Sequence, residues 1–580
     1  MSPGGDALLA DGHPAIVAGS KPAAAGVLST DAIGQFAGKG RMPKYKTSAS
    51  KTGDCSGALR FDLAIPAGES RRIKLLCPVL PGRRAVRHKW TPLRSNYIDA
   101  AVPQSGADGI DIPDAGVGYY CKAAGGDLFA EAIAYWRKFY GNMSVRLPDQ
   151  RWNNGYCVML AHAGICMNEG AADVAVLNYP VYNRDGMYIA NMMQKSGRAE
   201  LSEAVIDYFL AHPFNGRPFP EADNPGQILW SIGQHWKFTR DKAWLRRVYP
   251  SAVKIAEMIR YCRTTKGPHW ISMTSLDFGE SLPKESRRKL QPGRCDGNHP
   301  EYTEAFDLAG VRIVADICRA MGKKAEAKKW DDLASELAKS YDRFGKDLAK
   351  GYGGYSVLWP CRLYPLNEGL AREQFRRIGK QRIAHWRYFA PATAHQGLLA
   401  GNRDAGYQTI DVHLAHKHMQ QWFAFEEGGS SGSGGWPHLR TTWRHSKTAP
   451  DANKACAMPH GWAIAEVWLL MRNSLLFEDG DRLVLFGGAD PKWFTDPEGF
   501  ELRAMPTHFG DLSLSWRTTG GGAVLKLTGK ASPPGGFVLR LPKSLASKVA
   551  AGGRTLTPSG GDFPAPKDVA EIKVTFVSQR

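Results

Sequence analysis

The spacing of the apolar residues changes twice along this chain. Through the middle it follows the helical period; towards both ends it alternates, as in half-buried strands. Phe306, Gly310, Ile313, Ile317 and Met321 hold one helical face, and Gly322 supplies a stop. Trp330, Leu333, Leu337, Tyr341 and Phe344 hold the next face. Two helices joined at a glycine make a helical hairpin. Trp244, Val248, Ile255, Ile259 and Cys262 keep the same spacing, and the pattern predicts further helices over 127–141, 153–165, 199–212, 367–378, 393–401, 404–421 and 454–473. About twelve helices in hairpins, with long loops and no fixed sequence repeat, favour a closed toroid over a solenoid.

Before the helices, Leu59, Phe61, Leu63 and Ile65 alternate, Pro66–Gly68 turns, and Ile73, Leu75 and Cys77 alternate again. That predicts a β-hairpin within a sandwich. Residues 1–50 are rich in Gly, Ala and Lys and carry little signal. After the helices, Leu512, Leu514 and Trp516, then Phe537, Leu539 and Leu541, then Ile572, Val574 and Phe576 alternate. A chain of 580 residues is too long for one core. The expected architecture is multidomain: an N-terminal β-sandwich-like domain over 1–125, a central all-α (α/α)6 toroid over 126–478, and a small C-terminal β-domain over 479–580.

Composition narrows the function. Lys and Arg number 75 against 56 Asp and Glu, a net charge of +19, which favours an anionic partner. The basic residues are spread along the chain, and no RNA-binding, zinc-finger or basic-zipper pattern accompanies them, so nucleic acid is not the expected partner. The 10 cysteines are scattered without a C-x-x-C pair, and no metal site or cofactor is expected. No phosphate-binding loop or dinucleotide fingerprint is present. Gly428–Gly432 fits G-x-S-x-G by letter but follows a helix, the wrong setting for a nucleophile elbow. No apolar run reaches membrane-spanning length. The first residues lack the charged and apolar regions of a signal peptide, leaving the compartment open between cytoplasmic and exported with a trimmed start. The 17 Trp and 20 Tyr suit a sugar-binding cleft, because an indole face covers the apolar face of a pyranose.

Acids and amides gather at helix starts. Tyr182-Asn183-Arg184-Asp185-Gly186-Met187 opens one helix, Glu221-Ala222-Asp223-Asn224-Pro225-Gly226-Gln227 opens another, and Thr239-Arg240-Asp241 a third. An aspartate there serves equally as a cap. If the starts share one end of a toroid, these groups converge on one mouth.

The order of these segments resembles the six-hairpin glycosidases, the group of glucoamylases, sugar phosphorylases and α-L-rhamnosidases. The resemblance rests on Asn183–Gly186, Asp223–Trp230, Thr239–Asp241, Pro459-His460-Gly461-Trp462 and Asp479-Gly480-Asp481-Arg482-Leu483, and spans roughly residues 50–545. It implies a glycoside hydrolase acting on an oligo- or polysaccharide. Arg184, Asp185, Asp223 and His460 would then bind sugar, and Trp230, Trp422 and Trp436 would stack on it. Glycoside cleavage needs two carboxyl groups flanking the bond. The resemblance places the acid in the loop 269–300, where Asp277 is the first candidate and Glu280 the alternate. The base is expected from a late loop, where Glu427 is preferred over its neighbour Glu426, ahead of a glycine-rich stretch suited to a lid. The group is largely inverting, which makes inversion the expected outcome. The charge suggests an anionic glycan held by Arg184, Arg387 and Arg444. Two alternatives stand beside this reading: a lyase acting on a uronate-containing glycan, and a glycan-binding relative without an acid.

Overall fold

The computed structural model describes residues 1–10, 12–51, 55–78, 84–86, 109–111, 116–168, 170–175, 179–215, 217, 219–264, 269–272, 287–344, 352–366, 369–379, 387–416, 424–425, 427 and 459–577. They fall into two units, one drawn from Met1–Arg87 and Asp99–Phe139, the other chiefly Tyr140–Arg580. In the first unit, strands Ala7–Ala10, His13–Ala18 and Leu75–Leu76 form one antiparallel sheet, and Ala24–Leu28 pairs with Ser56–Arg60. Helices α1 (Ile33–Gly38), α2 (Gly116–Gly125) and α3 (Leu128–Tyr140) complete it.

The hairpin expected from Leu59–Ile65 and Ile73–Cys77 does not form. Each half pairs with a strand from the first thirty residues instead: Ser56–Arg60 with Ala24–Leu28, and Leu75–Leu76 with Val17 and Ala18. Those partners are largely alanine and glycine, whose small side chains leave almost no trace of alternation. Beyond Arg60 the strand ends, and Leu63 and Ile65 are half exposed.

The second unit contains α4 (Gln150–Ile165), α5 (Asn183–Lys195), α6 (Ala199–Ala211), α7 (Asn224–Thr239), α8 (Lys242–Thr264), α9 (Pro300–Ala320), α10 (Lys324–Phe344), α11 (Gly369–Arg376), α12 (Phe389–Leu399), α13 (Arg403–Leu414) and α14 (Gly461–Leu475). The helix expected over 404–421 ends at Leu414, and 417–421 lies outside the described residues. Every residue of α5 and of α14 is buried, so these helices are packed on all sides. α8 and α10 bury one stripe each and leave the other to solvent. Contacts run from α5 to α7, α7 to α9, α9 to the short 3-10 turn Tyr352–Tyr355, on to α12, to α14 and back to α5. Among the described residues, no helix is long and apolar enough to cross a membrane.

Strands follow α14 without a break. Leu476–Asp479 and Arg482–Leu485 form a hairpin, and Arg482–Leu485 continues in parallel to Phe537–Leu539. A seven-stranded sheet ends on Phe500–Met505 and, beyond it, Ser144–Arg146, a strand contributed from before α4. Trp152 at the start of α4 meets Trp493 edge to face at 4.8 Å. The helices and the C-terminal strands therefore belong to one unit.

The α7–α9 crossing depends on glycine. A Cβ on Gly226 would lie 2.4 Å from the carbonyl oxygen of Phe306, and one on Gly310 would lie 3.2 Å from the Gly226 Cα. Backbone cannot give way as a side-chain tip can. Gly226→Ala should destabilise the protein by at least ~2 kcal/mol and Gly310→Ala by less, read from denaturant midpoints at constant slope; equal stability of Gly226→Ala and the parent would show that the helices separate freely.

Candidate active site

The starts of α5 and α7 meet through one guanidinium. Arg184, 3% exposed, donates from Nη1 to Asp223 Oδ2 at 2.7 Å and from Nη2 to Glu221 Oε1 at 3.4 Å. Asp223 stands at the N-cap of α7, yet its side chain caps no backbone N–H. It accepts instead from Arg184 and from Gln227 Nε2 at 2.7 Å. Glu221 also accepts the Asp296 N–H at 2.7 Å and ion-pairs with Arg217 at 3.8 Å. Burial raises the Glu221 carboxyl above its usual range, against the pull of Arg184. Glu221, Asp223 and Cys295 bring three potential metal-ligand atoms within 4.8 Å of one another. Arg184 Nη1 lies 3.5 Å from the Cys295 sulfur and already supplies positive charge there.

Asp185 follows Arg184 in the first turn of α5 and faces a different group. Its Oδ1 lies 3.6 Å from His460 Nε2, and Glu427 Oε1 lies 3.9 Å from the same nitrogen. His460 is the N-cap of α14: its Nδ1 accepts the Ala463 N–H at 3.2 Å. In the neutral ring the proton must then sit on Nε2, facing both carboxyl groups. Burial pushes the imidazole down to about 3, so the ring is neutral near pH 7. Burial pushes Asp185 well above the usual carboxylate range; Arg184 opposes this and Glu427 adds to it. The backbone holds Glu427 in place, since the Arg387 N–H donates to its carbonyl at 3.2 Å and the His460 N–H donates to Phe425 O at 2.8 Å.

Aromatic rings stand beside the pair. Trp462 stacks on Tyr388 at 3.8 Å and on Tyr188 at 5.3 Å, and Tyr388 also stacks on His460 at 5.5 Å. His299 stacks on Tyr352 at 4.2 Å. Behind them, Glu466 of α14 accepts Trp359 Nε1 at 2.9 Å and sits 2.8 Å from His395 Nδ1. Burial raises Glu466 to about 8.

Of the residues singled out in the sequence, the structure draws together Asp185, Glu427 and His460, and joins Arg184 to Asp223. Thr239–Asp241 does not converge with them. Asp241 caps α8 by accepting from Ala243 and Trp244, in an exposed position at the far end of α7. Trp230 lies two turns along α7 from Asp223, is 2% exposed, donates to Pro360 O at 3.1 Å and lines a separate cavity. Asp277, Glu280, Glu426, Trp422, Trp436 and Arg444 lie outside the described residues. Tyr188, Tyr352, Tyr388 and Cys295 also lie here without a motif to single them out. Trp462 belongs to the Pro459–Trp462 motif and Glu221 stands beside Asp223, but nothing in local spacing marks the tyrosines.

No known protein-family profile matches the chain. It is 21% identical over 250 residues to an uncharacterized glycosyl hydrolase of Methanocaldococcus jannaschii, a match spanning 37% of this chain and 37% of that protein. Among solved structures, it is similar to a GH78 family rhamnosidase of Bacillus sp. GL1 (13% identity, TM-score 0.46, covering 67% of this chain and 41% of that one). It is also similar to a bacterial glucoamylase complexed with acarbose (10% identity, TM-score 0.41, covering 79% and 71%). The chain thus spans well under half the length of the first of these relatives.

Two measurements test the buried charges. Arg184→Met leaves Asp223 and Glu221 without their shared cation and should cost about 3–5 kcal/mol in denaturant unfolding; a loss below about 1 kcal/mol would show that water reaches the acids. Glu466, raised from 4.5 to about 8, binds a proton in the folded state that the unfolded chain releases between those values. Its contribution to stability is therefore full below pH 4.5 and lost as pH rises towards 8. Glu466→Gln should remove that part of the decline, so the melting temperatures of variant and parent should move in the variant's favour from pH 5 to 8.5. A constant difference would contradict the raised value.

Proposed function

We propose that the protein is a glycoside hydrolase whose helices form an (α/α)6 ring with the reaction centre at the mouth holding the starts of α5, α7 and α14. The observation that carries this reading is the pair Asp185 and Glu427 gathered on one neutral imidazole, beside stacked aromatic rings. The ordered motifs resembling six-hairpin glycosidases support it, as does the glycosyl hydrolase relative over the part of the chain that it matches.

The chemistry divides as follows. Glu427 activates water, with His460 Nε2–H orienting its carboxylate. Asp277 protonates the departing oxygen, with Glu280 the alternate acid and Glu426 the alternate base. Asp185, whose carboxyl burial raises above the usual range, binds a sugar hydroxyl, and Arg184 and Asp223 hold the start of α7 against it. Trp422 and Trp436 stack on the sugar. The two carboxyl groups come from separate loops, which leaves room for a water molecule and gives inversion. An anionic glycan suits the +19 charge, with Arg387, whose Nη2 lies 3.3 Å from His416 Nε2, on the segment that holds Glu427.

The test is a panel of neutral and acidic glycans followed by chromatography, by ultraviolet absorbance of unsaturated uronates and by proton NMR of the first-formed sugar. Saturated products of inverted configuration are expected. Glu427→Gln should lower turnover at least about a thousandfold on every substrate, and Asp277→Asn should act most on poor leaving groups. Unsaturated uronates would replace the hydrolase with a lyase; retained configuration would remove the water-activating role of Glu427.

A further inference from the structure

At the far end of the same helices lies an open cavity of about 560 Å³. Lys195, the last residue of α5, lines it, ten residues from Asp185 and so about 15 Å along the helix axis. Lys237 of α7, Arg312 of α9 and Arg362 line it as well, with Glu478 and Asp479 the carboxylates. These acids are already engaged. Glu478 takes both Nη atoms of Arg472, at 2.7 and 2.9 Å, and Lys195 at 2.9 Å. Asp479 pairs with Arg482 at 3.2 Å.

That leaves three cations over. Among the described residues, none of Lys237, Arg312 and Arg362 has a carboxylate within ion-pair distance. Arg312 donates to Leu363 O at 3.0 Å and Arg362 to Glu478 O at 2.9 Å, both backbone carbonyls. Lys237 makes no hydrogen bond to the described residues. Burial, the first cause in each case, pushes all three below their usual values. Lysines in last turns are common because they offset the helix dipole, and that accounts for Lys195 and Lys237. It does not account for Arg312, which sits in the interior of α9, or for Arg362, which lies outside any helix at φ 52°. Arg362 repels Lys237, and burying three cations without an ion-pair partner among the described residues is costly unless an anion joins them.

We propose that this cavity is a second ligand site, separate from the Asp185–Glu427 pair, and that it takes a small molecule bearing a phosphoryl group. A phosphate monoester carries close to two negative charges at pH 7 and three acceptor oxygens, which suits one ammonium and two guanidinium groups; a single carboxylate leaves the excess unmet. The cavity exceeds what an inorganic phosphate fills and lies in the range of sites for small organic ligands. Pro360, Leu363 and Pro365 on its wall add apolar atoms beside the cations.

Isothermal titration of the full chain with glucose 6-phosphate, inorganic phosphate and glucose tests this without reference to any hydrolytic activity. Saturable binding of either phosphate, with glucose silent, is expected. A tighter glucose 6-phosphate identifies an organic ligand, and equal affinities identify the phosphoryl group alone; both support the site. Lys237→Gln should weaken binding about tenfold or more, Arg312→Gln likewise, and Lys237→Arg should retain it. Lys237 makes no hydrogen bond to the described residues, so Lys237→Gln should lose no more than its helix-dipole contribution and stay folded. Absence of binding by both phosphates, binding of glucose as tight as that of its phosphate, or affinity unchanged in Lys237→Gln and Arg312→Gln would each overturn the proposal.

Discussion

Arg184 donates to Asp223 across the junction of α5 and α7, and the geometry of this end of the helices follows from that bond. A buried guanidinium is tolerable only when carboxylates surround it, and two carboxylates at one buried helix start are tolerable only when a cation lies beside them. Neither side is replaceable alone. The bond fixes how far α5 can turn relative to α7, and Asp185, the next residue along, is thereby aimed at His460. His460 in turn is fixed by capping α14 and by its backbone bond to Phe425. Three helix starts and one late loop are thus tied by a short sequence of polar contacts, with only Glu427 partly open to solvent.

The interior helices contrast with this polar end. α5 and α14 are buried along their whole length, and α7 and α9 cross where two glycines let backbone meet backbone. Apolar packing there sets the spacing, while the polar contacts set rotation and register. Stacked rings around Trp462 fill the step between the two regimes.

Much of this was legible in the sequence because it depends on periodic patterns. Phe306–Met321 and Trp330–Phe344 gave two helices within a few residues of α9 and α10, and Leu512–Trp516 and Ile572–Phe576 gave strands of the C-terminal sheet. Arg184, Asp185 and Asp223 stood out because acids at helix starts have few uses. The rest was hidden for identifiable reasons. Strands built of alanine and glycine, such as Ala24–Leu28, carry no contrast between faces. Asp241 has the same signature as Asp223, yet one caps a helix from an exposed position and the other holds a buried arginine; local sequence does not encode which end of a helix pair a residue occupies. Tyr188 and Tyr388 reach Trp462, and Tyr352 reaches His299, only through tertiary structure. Trp230 looked like a sugar platform because of its motif, while its burial and its bond to Pro360 assign it to the packing of α7.

The strand Ser144–Arg146 pairs with Phe500–Met505, although some 350 residues separate them. During synthesis every helix of the second unit leaves the ribosome while that edge still lacks its partner. Its backbone donors and acceptors stay open to pairing with other chains until the last hundred residues arrive. The helical part can collapse early, but the unit becomes complete only when its C-terminal sheet reaches back to its beginning. Truncation anywhere before Met505 would therefore leave an adhesive edge at the start of the helices as well as a ragged end.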